Sequence, residues 1–80
     1  MKTNLRDTLI RALCSAIKNE GTTVVIIKGS SQNGDYSLRI VSLGYQLLKG
    51  TEVILTISKN LFPDIVFDAI YDCIRPREIL

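Results

Sequence analysis

The sequence contains no histidine and no tryptophan, and proline and cysteine occur only twice each. Without imidazole, every mechanism that uses histidine as base, nucleophile, metal ligand or phosphate acceptor is excluded within this chain. Cys14 and Cys73 lie far apart, each among apolar residues, which predicts reduced thiols packed in the core and not a disulfide scaffold or a CxxC site. No apolar run reaches the roughly 18 residues that a membrane helix requires. The first residues, Met1 to Asn4, carry no basic stretch leading into an apolar segment and a cleavage site, so the expectation is a cytoplasmic chain without membrane contact. Charge of one sign is not concentrated either. The ten Lys and Arg are interleaved with eight Asp and Glu for a net charge of +2, which leaves no basic stripe and argues against nucleic acid as the partner.

What is present is an ordinary globular composition, 46% hydrophobic over 80 residues. That length predicts one domain over residues 1–80. A domain of this size buries only about 60% of the surface its unfolded chain exposes, so a large active-site architecture is not expected. Leu5, Leu9, Leu13 and Ile17 recur every fourth residue, which predicts an amphipathic helix over about 4–19 with Asn4 as N-cap and Gly21 beyond its end. The β-branched run Thr22 to Lys28 reads as a strand, and its apolar residues at successive positions suggest one in the sheet interior. Asn33-Gly34 fits a hairpin turn. Tyr36, Leu38 and Ile40 then alternate with Ser37 and Arg39, predicting a strand with the polar pair toward solvent. Ser42 to Leu48 reads as a short helix capped by Ser42. Thr51 to Ser58 alternates again as a strand, expected beside the first strand. A last helix, capped by Asn60 with Pro63 in its first turn, has an apolar face of Ile65, Val66, Ala69, Ile70, Cys73 and Ile74, and is expected to stop near Arg75 because of Pro76. The fold class is therefore α+β: two helices packed on one face of a small antiparallel sheet, with a short intermediate helix.

Asp64, Asp68 and Asp72 recur every fourth residue and line one side of the last helix, which reads as a solvated face, with a cation site or an acidic interaction stripe as the alternatives. A metal site normally draws ligands from more than one element, so no metal is assigned, and nothing implies a cofactor. Ser30, Ser31, Ser37, Ser42 and Ser58 have no base to activate them, so no catalytic residue is expected and the chain does not read as an enzyme.

From about Thr22 to Ile74 the chain resembles the histidine-containing phosphocarrier (HPr) family of the bacterial sugar phosphotransferase system. The matching pieces are TTVVIIK, the Asn33-Gly34 turn, SLG at Ser42 to Gly44, KGTEVILTIS at Lys49 to Ser58, and the amphipathic C-terminal helix. The resemblance implies helices on one side of a four-stranded antiparallel sheet, an open-faced sandwich. The family's first strand and its His-x-Arg-Pro phosphorylation loop have no counterpart, so the family's phosphocarrier chemistry is excluded. The family also carries a regulatory serine at the start of its short second helix, and the resemblance implies Ser42, or in another register Ser37, as a phosphorylation site. The function implied is a noncatalytic HPr-like interaction or regulatory domain. With the family's first strand missing, Thr51 to Ser58 would be a sheet edge with no proline or bulge to guard it, covered by a second copy, by a partner's strand or by the tail Arg77 to Leu80. Two other readings compete. The order helix, three strands, helix also suits a small RNA-binding module, although Asp64 and Asp68 stand where phosphate contacts would be needed. An enzyme subunit completing a site with another chain has no residue pair to support it.

Overall fold

The computed structural model describes residues 4–29 and 34–79, with side chains through Ile74. The first helix, α1, spans Leu5–Lys18. Its start is set as expected: the Asn4 side chain accepts a hydrogen bond from the Arg6 amide at 2.8 Å, and Asp7 sits in the first turn, where the helix dipole favours its charge. Four strands follow, β1 (Val24–Ile27), β2 (Tyr36–Val41), β3 (Gly44–Lys49) and β4 (Glu52–Ile57), and the chain closes with α2 (Pro63–Ile79). The strands form one antiparallel meander in the order β1-β2-β3-β4, with the helices packed on one face, so the α+β class is borne out.

Several sequence-based expectations need correction. The segment Ser42 to Leu48 is not a helix: Ser42 and Leu43 make the turn of a tight hairpin, and Gly44 begins β3. Tyr45 and Leu47 alternate inward and Gln46 and Leu48 outward, a period of two that the leucines disguise as a helical stripe. Because this extra strand exists, β4 pairs with β3 and not with β1. Both β1 and β4 are therefore edges. The apolar run of β1 reflects a bulge between Val25 and Ile27, where Ile26 turns into the core while Val25 stays 51% exposed on the open face. β4 has its own register shift opposite Leu47 and Leu48, so its edge is bulged after all. α2 is capped by Phe62, whose carbonyl accepts from the Ile65 and Val66 amides, and not by Asn60. Nor does α2 stop at Arg75. Pro76 removes one N–H, but near the end of a helix that loses a single bond, and the backbone stays helical to Ile79 instead of turning back over β4. The Asn33 turn position and Leu80 lie outside the described residues, although β1 and β2 pair as the hairpin reading requires.

The core lies between the sheet and the helices. α1 supplies Leu9, Ala12, Leu13 and Ala16; the sheet supplies Ile26, Tyr36, Leu38, Ile40, Tyr45, Leu47 and Ile57; α2 supplies Val66, Phe67, Ile70 and Ile74. Cys14 does not belong to it. The buried stripe of α1 runs through residues 9, 12, 13 and 16, which leaves Cys14 and Ile17 exposed, contrary to the sequence expectation for both. α1 packs over β1 and β2 and runs beside α2. The Arg6 guanidinium lies over the stacked rings of Phe67 and Tyr71, and Lys59 pairs with Glu20 at 3.0 Å, so the end of α1 meets the start of α2 and the helices run antiparallel. Gly44 makes the closest backbone approach: its φ of +137 belongs to the glycine region, and a Cβ there would overlap the Ile57 carbonyl oxygen across the β3–β4 ladder.

Candidate functional site

On the open face of the sheet, alternation places Val25, Ser37, Arg39, Gln46, Leu48 and Val53. Arg39 and Gln46 are direct cross-strand partners, and Arg39 Nε donates to Gln46 Oε1 at 2.8 Å. Leu48, flanked by Ser37 and Val53 on the neighbouring strands of this face, is only 5% exposed although it lies outside the core between sheet and helices. Ser37 is buried to the same 5%, so it does not point freely to solvent, and a kinase could reach its hydroxyl only after local opening. Ser42 is exposed in the β2–β3 turn. No helix begins there, so a phosphate on Ser42 would gain nothing from a helix dipole, contrary to the N-cap reading.

Asp64, Asp68 and Asp72 are all exposed on α2, and their spacing keeps them on one side. Among the described residues, no group of three or more His, Cys, Asp or Glu is arranged to hold a metal ion. No described helix is long and apolar enough to cross a membrane. A small depression of about 200 Å³ lies at the β3–β4 turn, lined by Asp35, Ser37, Gly50 and Thr51, and the Asp35 carboxylate accepts a hydrogen bond from the Gly29 amide at 2.7 Å.

The sheet edge at β4 gathers more. Successive helical residues are offset by about 100°, so Ile65, Ala69 and Cys73 lie on the flank of α2 opposite Phe67 and Tyr71, which face α1. That flank overlooks the β4 side. Ile65 is 46% exposed, while Ala69 and Cys73 are half-buried and pack against the rim of the core. On the same side of the sheet β4 contributes half-buried Ile54 and Leu55, while exposed Val53 lies on the open face. The sequence reading placed all the apolar residues of α2 on one buried face. The signal it missed is their doubling at 65/66, 69/70 and 73/74, which makes a stripe wider than one contact can cover. Comparison with protein-family models, curated proteins and solved structures finds no match to this chain.

Proposed function

We propose that the chain is a noncatalytic protein-interaction domain that associates with a second copy of itself through β4 and the adjoining flank of α2. The observation that carries this reading is the position of β4 as an edge strand with an apolar helix flank beside it. From the HPr resemblance the reading keeps the HPr-like interaction role and a cytoplasmic setting; with no histidine in the chain, phosphate transfer by that family's chemistry is left out. An RNA-binding role has less support, because Asp64 and Asp68 are exposed at the start of α2 and would repel phosphates.

Two features favour a second copy as the occupant. Beyond the bulge, Leu55, Thr56 and Ile57 keep regular register with β3 and offer a flat stretch for antiparallel pairing. The bulge also puts Glu52 and Lys59 on the same face. Glu52 sits opposite Lys49, whose ammonium lies over Tyr36 on the helix side, and Lys59 reaches Glu20 at the end of α1. Glu52 opens β4, and Lys59 lies in the turn two residues beyond its last residue, Ile57. A two-fold axis through Thr56 sets each Leu55 against the Ile57 of the other copy, and brings the Glu52 end of one β4 to the Lys59 end of the other, where unlike charges approach.

Sedimentation equilibrium tests the reading. The wild-type chain is expected to be a dimer, and Thr56→Lys, which sets two like charges face to face on the axis, is expected to be monomeric with unchanged circular dichroism. A monomeric wild-type chain, or a dimer that Thr56→Lys leaves intact, refutes it.

A further inference from the structure

At the opposite edge of the sheet, α1 and β1 enclose a groove of about 400 Å³ lined by Thr8, Arg11, Ala12, Ser15, Val24 and Val25. Thr8, Arg11 and Ser15 are spaced three and four residues apart and so share one flank of α1. Ala12, buried and small, lets the groove run down to Val24 between helix and strand. One wall is thus polar and the floor apolar. The other wall is backbone: β1 has a single sheet neighbour, β2, so its outward N–H and C=O groups face no strand among the described residues. Arg11 is exposed and has no carboxylate partner among the described residues. Lys18 follows on the same flank two turns later, Lys28 follows β1, and the nearby acid on α1 is Asp7.

We propose that this groove binds an extended peptide segment, which adds to β1 as a further strand and sets an acidic side chain against Arg11. Strand addition satisfies the open backbone groups of β1, while alternate peptide side chains enter the groove between Val24 and Ala12. A carboxylate at one of those positions meets the guanidinium in a charge-assisted hydrogen bond, with the Thr8 and Ser15 hydroxyls as further donors. The bulge after Val25 ends the regular edge, so the paired stretch is short and side-chain contacts must set the specificity. Charge decides the occupant. A second copy pairing through its own β1 would bring Arg11, Lys18 and Lys28 of the two chains together, whereas an acidic segment from another protein neutralises them. The site is independent of association through β4, since a dimer formed there leaves both β1 edges at the outer ends of the joined sheet.

The test is a titration of the isotope-labelled chain, followed by amide chemical shifts, with a capped octapeptide alternating valine and glutamate. Two further probes are a valine–lysine octapeptide and an alternately N-methylated form of the acidic one, which cannot pair with a strand. Expected are shifts centred on Val24, Val25, Arg11 and Ser15, an affinity for the acidic peptide at least about tenfold above that for the basic one, and loss of binding on N-methylation. Arg11→Glu should reverse the charge preference. Arg11→Gln should abolish it with the helix content unchanged. Shifts centred on β4, equal affinity for the two charge types, indifference to N-methylation, or no binding of the acidic peptide overturns the proposal.

Discussion

Replacing Gly44 by alanine isolates the backbone contact between β3 and β4. A side chain at a φ of +137 is strained in itself, at about 1–3 kcal/mol. The added Cβ would also overlap the Ile57 carbonyl oxygen and lie 3.1 Å from the Ile57 carbonyl carbon, and neither atom is the yielding end of a flexible side chain. The two strands must separate there, as in an overpacked core, which adds about 1–3 kcal/mol. The total, about 2–6 kcal/mol, is a large part of the about 5–15 kcal/mol that holds a typical domain folded. Urea unfolding followed by far-ultraviolet circular dichroism measures it. With a slope near 1 kcal/mol/M, as expected for so small a chain, the midpoint of Gly44→Ala should fall by about 2 M or more. Gly21→Ala is the control. Gly21 also has positive φ, +90, but nothing lies within 4 Å of a Cβ there, so its cost should stay near the backbone strain alone, about 1–2 kcal/mol. If both variants lose the same stability, or Gly44→Ala unfolds within about 0.3 M of the wild type, the close approach of β3 to β4 at Gly44 is wrong.

The exposed position of Cys14 predicts rapid labelling by a thiol reagent in the native state, slower labelling of half-buried Cys73, and a stability change of Cys14→Ser within about 0.5 kcal/mol. Labelling of Cys73 ahead of Cys14 would contradict this. Arg6→Ala should cost about 1 kcal/mol in thermal or urea unfolding by uncovering the stacked Phe67 and Tyr71 rings, which lie 5.2 and 5.5 Å from the guanidinium carbon. A neutral result would show that the contact between the helices does not depend on it.

The terminal helices and the strand character of β1, β2 and β4 were legible because each rests on a local signal: the Asn4 cap, the β-branched run, the period of two through Tyr36, Leu38 and Ile40. β3 was not. Its Leu43, Leu47 and Leu48 match helical spacing, and a serine before them imitates a cap; what decides for the strand is that Gly44 fits against Ile57 and that Leu47 fills the sheet between Leu38 and Leu55. Those partners are distant in sequence, so no local pattern reports them. The same omission misplaced β4 beside β1, because strand order depends on the number of strands. The bulges were hidden for a related reason: an extra residue such as Ile26 or Ile54 is apolar like its neighbours, and only the partner strand reveals that it has no opposite number. Of the site, the Asp64, Asp68, Asp72 stripe is exposed as a solvated helix face should be, whereas Ser42 stands in a turn and not at a helix start, and Ser37, read as facing solvent, is buried. Ser37 is buried in the assembled sheet, where Val25 and Leu48 stand opposite it on the neighbouring strands, a cross-strand setting that no local pattern reports.

The meander also dictates how the chain can assemble in time. Every strand pairs only with its neighbours in sequence, and the β2–β3 and β3–β4 turns span two residues each, Ser42-Leu43 and Gly50-Thr51, so those hairpins close at little entropic cost. The contact between the helices is of another kind: Arg6 meets Tyr71 only after nearly the whole chain has been brought round. Contacts of such separation are costly to form early, which puts the hairpins in the folding nucleus and the docking of α2 on α1 after it. Changes at Gly44 then slow folding, whereas changes at Arg6, Phe67 or Tyr71 leave the folding rate nearly as it was and hasten unfolding. The joint between the helices thus acts as the latch on a sheet that has already formed, and sets how long the molecule, once folded, stays shut.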